Sequence, residues 1–232
     1  MPVHGIIFDI DGTLIDTNPT HVEAWHRAFK SLDHDVPVER IEVEIGKGGD
    51  LLVPAILGDE AEQRHGEALR KAQKEEFLKL ARGRRFRVFP CVPELIQGLR
   101  DRRLRTALAT SSDAKHLQAT SESAGIDLSH RADFLVTNDE AESSKPAPDL
   151  VIAACEKLRL DPRECVMVGD TIYDAQACQA AGVVFLGVES GGTAAETLIE
   201  AGAAGVWGDT GHLHDDLTPA LELAATTGSA SH

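Results

Sequence analysis

The sequence predicts an α/β protein: a doubly wound parallel sheet with a small all-helical block inserted after its first strand. Three observations carry that expectation. From Val88 onward, short apolar runs alternate with helical patterns, the order of βαβ units and of a parallel sheet covered on both faces. Between residues 17 and 85 the periodicity is helical and no strand signal interrupts it. Before that block stands one apolar run, Gly5-Ile6-Ile7-Phe8, which leads straight into Asp9-Ile10-Asp11-Gly12-Thr13-Leu14.

In chain order, Asn18-Pro19 reads as a helix start, with Asn as N-cap and Pro at the first helical position. Val22, Trp25 and Phe29 then fall on one stripe. Residues 38–58 read as two short helices around the turn Gly46-Lys47-Gly48-Gly49-Asp50, and Asp59–Ala81 as an amphipathic helix presenting Leu69, Ala72, Phe77 and Leu80. Strands are expected at Arg105–Thr110, Asp133–Thr137, Glu164–Val168, Gly182–Val188 and, more weakly, Ala204–Trp207. Helices are expected near 93–103, 114–124, 148–159, 173–181 and 194–201. Gly125, Gly182 and Gly202 stand where a helix ends in a left-handed residue. This division gives a core of residues 1–16 and 88–224, a helical block of 17–87, and a small, polar, disordered tail at 225–232.

Composition sets outer limits. The 232 residues are 42% apolar and 26% charged, with a net charge of −15. Phosphate backbones are bound through positive surface, so nucleic acid is not expected as a partner. No run approaches the ~18 apolar residues of a membrane helix, and the N-terminus shows no signal-like region. The expectation is a cytoplasmic protein with no membrane association. Cys91, Cys155, Cys165 and Cys178 form no CxxC pair or metal-ligand spacing and read as reduced and mostly buried.

The chemistry begins at Asp9 and Asp11. Two carboxylates two residues apart at a strand end lie on the same side of the backbone. At roughly 4 Å and an effective dielectric near 20 they repel by about 4 kcal/mol, so a proton, a cation or a basic partner is required. Ligands of such sheets bind beyond the carboxyl ends of the strands, and three more polar patches fall there. Leu108-Ala109-Thr110-Ser111-Ser112 ends one strand in hydroxyls and backbone donors. Ser144-Lys145-Pro146 puts a lysine just before a helix. Val168-Gly169-Asp170-Thr171-Ile172-Tyr173-Asp174 ends another strand with two acids four residues apart.

Together these four patches resemble the motifs of the haloacid dehalogenase-like hydrolase superfamily, a Rossmann-like fold. The resemblance is to the branch with a helical cap after the first motif, which includes phosphoglycolate phosphatase and β-phosphoglucomutase. It implies a phosphatase acting on a small phosphate monoester through an aspartyl-phosphate. Asp9 would be the nucleophile and Asp11 the general acid/base. Thr110, Ser111 and Lys145 would hold the phosphoryl group, and Mg²⁺ would sit among Asp9, Asp11, Asp170 and Asp174. Mg²⁺ takes oxygen ligands and keeps several waters, and without it four acids would crowd a dianionic substrate. In the cap, His21 and Lys47 are the candidate substrate contacts.

Departures within the resemblance narrow it. Dehalogenases of the group lack the second motif-one carboxylate, so Asp11 argues against dehalogenation. Gly169-Asp170 stands where mutases tend to carry Glu-Asp, whereas His21 is shared with sugar-phosphate mutases. A phosphosugar mutase is therefore the alternative. A non-catalytic phosphate-binding module is a third reading, but it has no use for Asp11. The arginines between Arg82 and Arg105, and the choice of monomer or homodimer, are left open.

Overall fold

The computed structural model describes residues 2–230. Its six strands are β1 (Gly5–Phe8), β2 (Arg105–Ala109), β3 (Phe134–Val136), β4 (Cys165–Gly169), β5 (Val184–Val188) and β6 (Gly205–Trp207). They form one sheet in the order β3-β2-β1-β4-β5-β6, every neighbouring pair parallel. All five strands expected beyond the first are present, within one or two residues of the expected bounds.

The two-residue period of the strands divides the interior into two cores. Ile6, Phe8, Leu108, Val166, Val168, Leu186 and Val188 face one side. There they pack on α5 (Val92–Asp101), α6 (Ala114–Ala124), and the C-terminal helices α10 (Thr210–Asp215) and α11 (Leu217–Ala230). Ile7, Ala107, Ala109, Cys165, Met167 and Phe185 face the other, against α7 (Asp149–Leu158), α8 (Ile172–Ala181) and α9 (Ala195–Glu200). Each fully buried Ile, Leu or Phe contributes about 1.5–3 kcal/mol.

The helical block consists of α1 (Asn18–Ser31), α2 (Val38–Glu42), α3 (Gly49–Leu57) and α4 (Asp59–Gly83). Trp25, Phe29, Ile41, Leu52, Val53 and Leu69 form its own core. The far end of α4 leaves that core: Phe77 and Leu80 pack into the sheet's interior instead. The two chain crossings lie side by side. The Asp16 N–H donates to the Arg87 carbonyl at 2.9 Å, and Arg87 Nη2 to Asp16 Oδ2 at 3.1 Å.

Two sequence expectations are corrected. Residues 225–230 are not a disordered tail but the last turns of α11, anchored through buried Leu217, Ala220 and Ala224. Alanine is a strong helix former, and the docked segment before it nucleates these last turns in spite of the weaker threonines, glycine and serine among them. Ser231 and His232 lie outside the described residues. Asn18 is not an N-cap. The cap position is Thr17, and Asn18 is the first helical residue, its side chain committed elsewhere. Three cysteines are buried and Cys91 is partly so, all four being free. Among the described residues no helix is long and apolar enough to cross a membrane.

Candidate active site

The ends of β1, β2 and β4 meet beneath the helical block, at the point where the strand order reverses from β1 to β4. A cavity of about 230 Å³ lies between them, with Asp9, Asp11, Lys145 and Asp174 on its sheet side and Lys47 and Arg70 on its helical side.

Asp9, at 6% exposure, follows the central strand. Lys145 Nζ donates to Asp9 Oδ1 and to Asp174 Oδ1, at 2.6 Å each. Among the described residues no hydrogen bond reaches Asp9 Oδ2. Asp170, at the end of β4, accepts from Thr13 Oγ1 at 2.8 Å and from Asn18 Nδ2 at 3.0 Å. Asp174, in the first turn of α8, accepts from Thr171 N–H at 3.1 Å and Thr171 Oγ1 at 2.6 Å. Asp9, Asp170 and Asp174 each offer a carboxylate oxygen within 4.8 Å of the other two.

The charges do not balance. Three buried carboxylates face one ammonium, which leaves two negative charges uncompensated when all are ionised. Burial pushes the Asp9 carboxyl well above the ordinary carboxylate range. Lys145 opposes this, and the charges of Asp174, Asp170 and Asp11 reinforce it. Asp170 is pushed up to about 7 by burial and by Asp174. Burial alone would lower Lys145, but the charges of Asp174 and Asp9 outweigh it and hold the ammonium well above its usual range. A double positive charge with oxygen preference fits this set, and the donors are of the hard kind that Mg²⁺ takes.

Asp11 lies apart from that trio. Its Oδ1 accepts from Thr17 Oγ1 at 2.7 Å and meets His21 Nε2 at 3.3 Å. Its Oδ2 accepts from Thr110 Oγ1 at 3.1 Å and Ser112 Oγ at 3.0 Å. Burial would raise this carboxyl, but His21, Thr17 and Ser112 hold it well below the usual range. Gly12 connects the two carboxylate sites with φ +83°, and a Cβ there would collide with Asn18 Nδ2 and Asp170 Oδ2. Only glycine satisfies both constraints.

The remaining sequence candidates fall as follows. The Thr110 hydroxyl is engaged with Asp11 and accepts from the Ser112 N–H at 3.0 Å. Ser111 lines the cavity, and its Oγ is buried with no partner among the described residues. His21 lines the cavity stacked on Phe77, ring centroids 4.2 Å apart. Lys47 reaches the cavity wall paired with Glu44, its ammonium 5.0 Å from the centre of the Tyr173 ring. Sequence reasoning missed Thr13, Thr17, Asn18, Ser112 and His116. Thr13 belongs to the quoted first motif, and that proximity was the available signal.

Comparison with known proteins gives a consistent result. A family model described as haloacid dehalogenase-like hydrolase matches residues 3–182. A phosphoglycolate phosphatase of Nitrosospira multiformis is 31% identical over 186 residues, covering 78% of this chain and 81% of the relative. A phosphorylated carbohydrates phosphatase of Thermotoga maritima is 26% identical, covering 87% of this chain and 92% of the relative. The crystal structure of a hydrolase from Pseudomonas syringae superposes with a TM-score of 0.85 at 28% identity, covering 93% of this chain and 98% of the other.

Proposed function

The chain belongs to the haloacid dehalogenase-like hydrolases, and from that premise we propose that it is a Mg²⁺-dependent phosphatase hydrolysing a small phosphate monoester, of phosphoglycolate or sugar-phosphate type, through an aspartyl-phosphate at Asp9. The observation that carries the proposal is the pairing of two unlike carboxylates at one cavity. Asp9 stands in a cation-deficient cluster, whereas Asp11 is held by hydroxyls and His21. Environments that push two carboxyls apart assign them different roles.

Asp9 Oδ2, free of hydrogen bonds, attacks phosphorus, while Lys145 fixes Oδ1 and offsets one charge of the assembly. Asp174, tied to Lys145 and Thr171, positions the lysine. Ser111 Oγ and the backbone amides near it and Gly12 supply phosphate-oxygen donors. Asp9, Asp170 and the Asp11 backbone carbonyl would hold Mg²⁺, with Asp174 close behind, and the ion would neutralise the charge shared by carboxylates and phosphate. Asp11, ionised at rest, serves as the base toward water in the second half-reaction. To act first as acid toward the leaving alcohol it must release some of its four donors, because hydrogen bonds to the charged form make a carboxylate hold a proton poorly.

Residues 17–87 act in this reading as a cap that closes over the site and excludes water, with hinges near 16–19 and 84–89. The contacts that tie cap to core include Asn18 to Asp170, Lys74 to Asp113, and the Tyr173 hydroxyl to the Val43 carbonyl at 3.0 Å. A cytoplasmic setting belongs to the same reading, supported by four free cysteines.

The test is release of inorganic phosphate from a panel of small esters with Mg²⁺, beside chelated and Asp9→Asn samples. Metal-dependent release that falls at least ~1,000-fold in the variant is expected. A folded protein that releases phosphate equally well in excess chelator would overturn the proposal. The contact of His21 with Asp11 favours one second reading, a phosphosugar mutase. That reading predicts isomerisation of a sugar phosphate, dependent on a bisphosphate activator, in place of net release.

A further inference from the structure

His116 lies in the first turn of α6 on the cavity wall, 7% exposed. Its Nδ1 is 3.2 Å from Asp113 Oδ1. That carboxylate also accepts the N–H groups of Lys115 and His116, at 2.9 and 3.0 Å, and pairs with Lys74 across the cap boundary. A carboxylate with that many donors carries no proton, so the hydrogen between it and the imidazole belongs to Nδ1. Burial and the nearby His21 disfavour a second proton on the ring, outweighing the pull of Asp113 and Asp11. The ring therefore keeps a bare lone pair on Nε2.

That Nε2 is buried and has no hydrogen-bond partner among the described residues. The rings beside it cannot supply one. Phe77, 4.9 Å away between centroids, has no donor, and His21 directs its own nitrogens to Asp11 and Gln73. A buried acceptor left unpaired is costly, so the missing donor is sought in whatever fills the cavity. A hydroxyl has a proton to give. An ionised carboxylate or a second phosphate presents only lone pairs, and would set them against Nε2.

We propose that His116 is a specificity residue that accepts a hydrogen bond through Nε2 from a hydroxyl on the leaving alcohol, so that the enzyme prefers polyol and sugar phosphates to esters whose other group is an acid. The proposal rests on the phosphatase reading and deepens it.

The experiment uses the full-length protein with Mg²⁺ and matched ester pairs that differ by one hydroxyl. Suitable pairs are glycerol 3-phosphate with 3-hydroxypropyl phosphate, ribose with 2-deoxyribose 5-phosphate, and glucose with 2-deoxyglucose 6-phosphate. Phosphoglycolate and p-nitrophenyl phosphate complete the set. For the wild type, at least one pair should differ by about 10- to 100-fold in kcat/KM, and its hydroxyl-bearing member should exceed phosphoglycolate. His116→Phe should collapse that ratio to within about threefold, and His116→Gln, which returns an acceptor, should restore part of it.

Three results would overturn the proposal: no pair that differs, phosphoglycolate as the preferred ester, or a His116→Phe protein that slows both members of a pair equally. Absence of release from every ester, p-nitrophenyl phosphate included, would instead defeat the phosphatase reading on which it stands.

Discussion

Asn18 Nδ2 donates to Asp170 Oδ2 at 3.0 Å, joining the first residue of the helical block to the carboxylate at the end of β4 across 152 residues of sequence. The same nitrogen also reaches the Gly191 carbonyl at 3.1 Å. The first residue of the helical block thus orients a carboxylate of the acidic cluster.

Partners that orient ligating carboxylates typically change metal affinity by about 10- to 100-fold when removed. Asn18→Ala is therefore expected to raise the Mg²⁺ concentration for half-maximal activity by about that factor, with maximal turnover less affected. A Mg²⁺ titration superimposable on the wild type would show that Asp170 is held well enough by Thr13 alone.

His21 lowers the Asp11 carboxyl by hydrogen bond and charge together. In His21→Ala the Asp11 pKa rises, so a larger fraction is protonated at mildly acidic pH. The acid limb of the kcat/KM profile should move to higher pH. A limb that stays in place while the rate falls would assign His21 to substrate contact alone.

Asp170 titrates near 7 in the folded chain without metal, against an ordinary value of 3.8. A carboxyl raised on folding binds a proton more tightly in the native state. Its contribution is present below about pH 4 and is lost as pH rises through about 7. In chelator, the wild type should lose stability relative to Asp170→Asn between pH 5 and 8, and saturating Mg²⁺ should reverse the order at pH 8. Parallel thermal-unfolding curves for the two proteins would contradict this.

Phe77 is fully buried and stacked on His21. Phe77→Ala removes a large side chain from the junction of α4 with the sheet core, at a cost of about 3–5 kcal/mol. For a domain of this size that lowers Tm by on the order of 10 °C. A smaller shift, under about 3 °C, would mean that the cap end of α4 unfolds independently of the sheet.

The architecture was legible because parallel strands buried on both faces read as short apolar runs, and Leu108, Val166 and Leu186 sit in such runs. The four motifs were legible because their acids, hydroxyls and lysine occur at strand ends. What escaped was every role that depends on a distant partner. Asn18-Pro19 has the local form of a cap, yet its amide is drawn to Asp170. Asp174 reads as a metal ligand, but the Lys145 and Thr171 contacts that hold it beside Asp9 and Asp170 are not visible in the sequence. His116 gives no sequence signal at all, since its meaning lies in Asp113 on one side and an unpartnered nitrogen on the other. The end of α11 was hidden by a composition that suits a loop equally well until Leu217 and Ala220 dock.

The central position of β1 has a consequence for how the protein is made. The strand that leads to Asp9 ends at Phe8, yet it is flanked by β2 and β4, which begin at residues 105 and 165. During translation its second neighbour comes only with β4, and it has none at all until β2 has been made. Until then Gly5–Phe8 is an unpaired apolar segment, the kind of nascent-chain feature that chaperones shield. The acidic cluster therefore assembles late, when β4 and α8 bring Asp170 and Asp174 to Asp9.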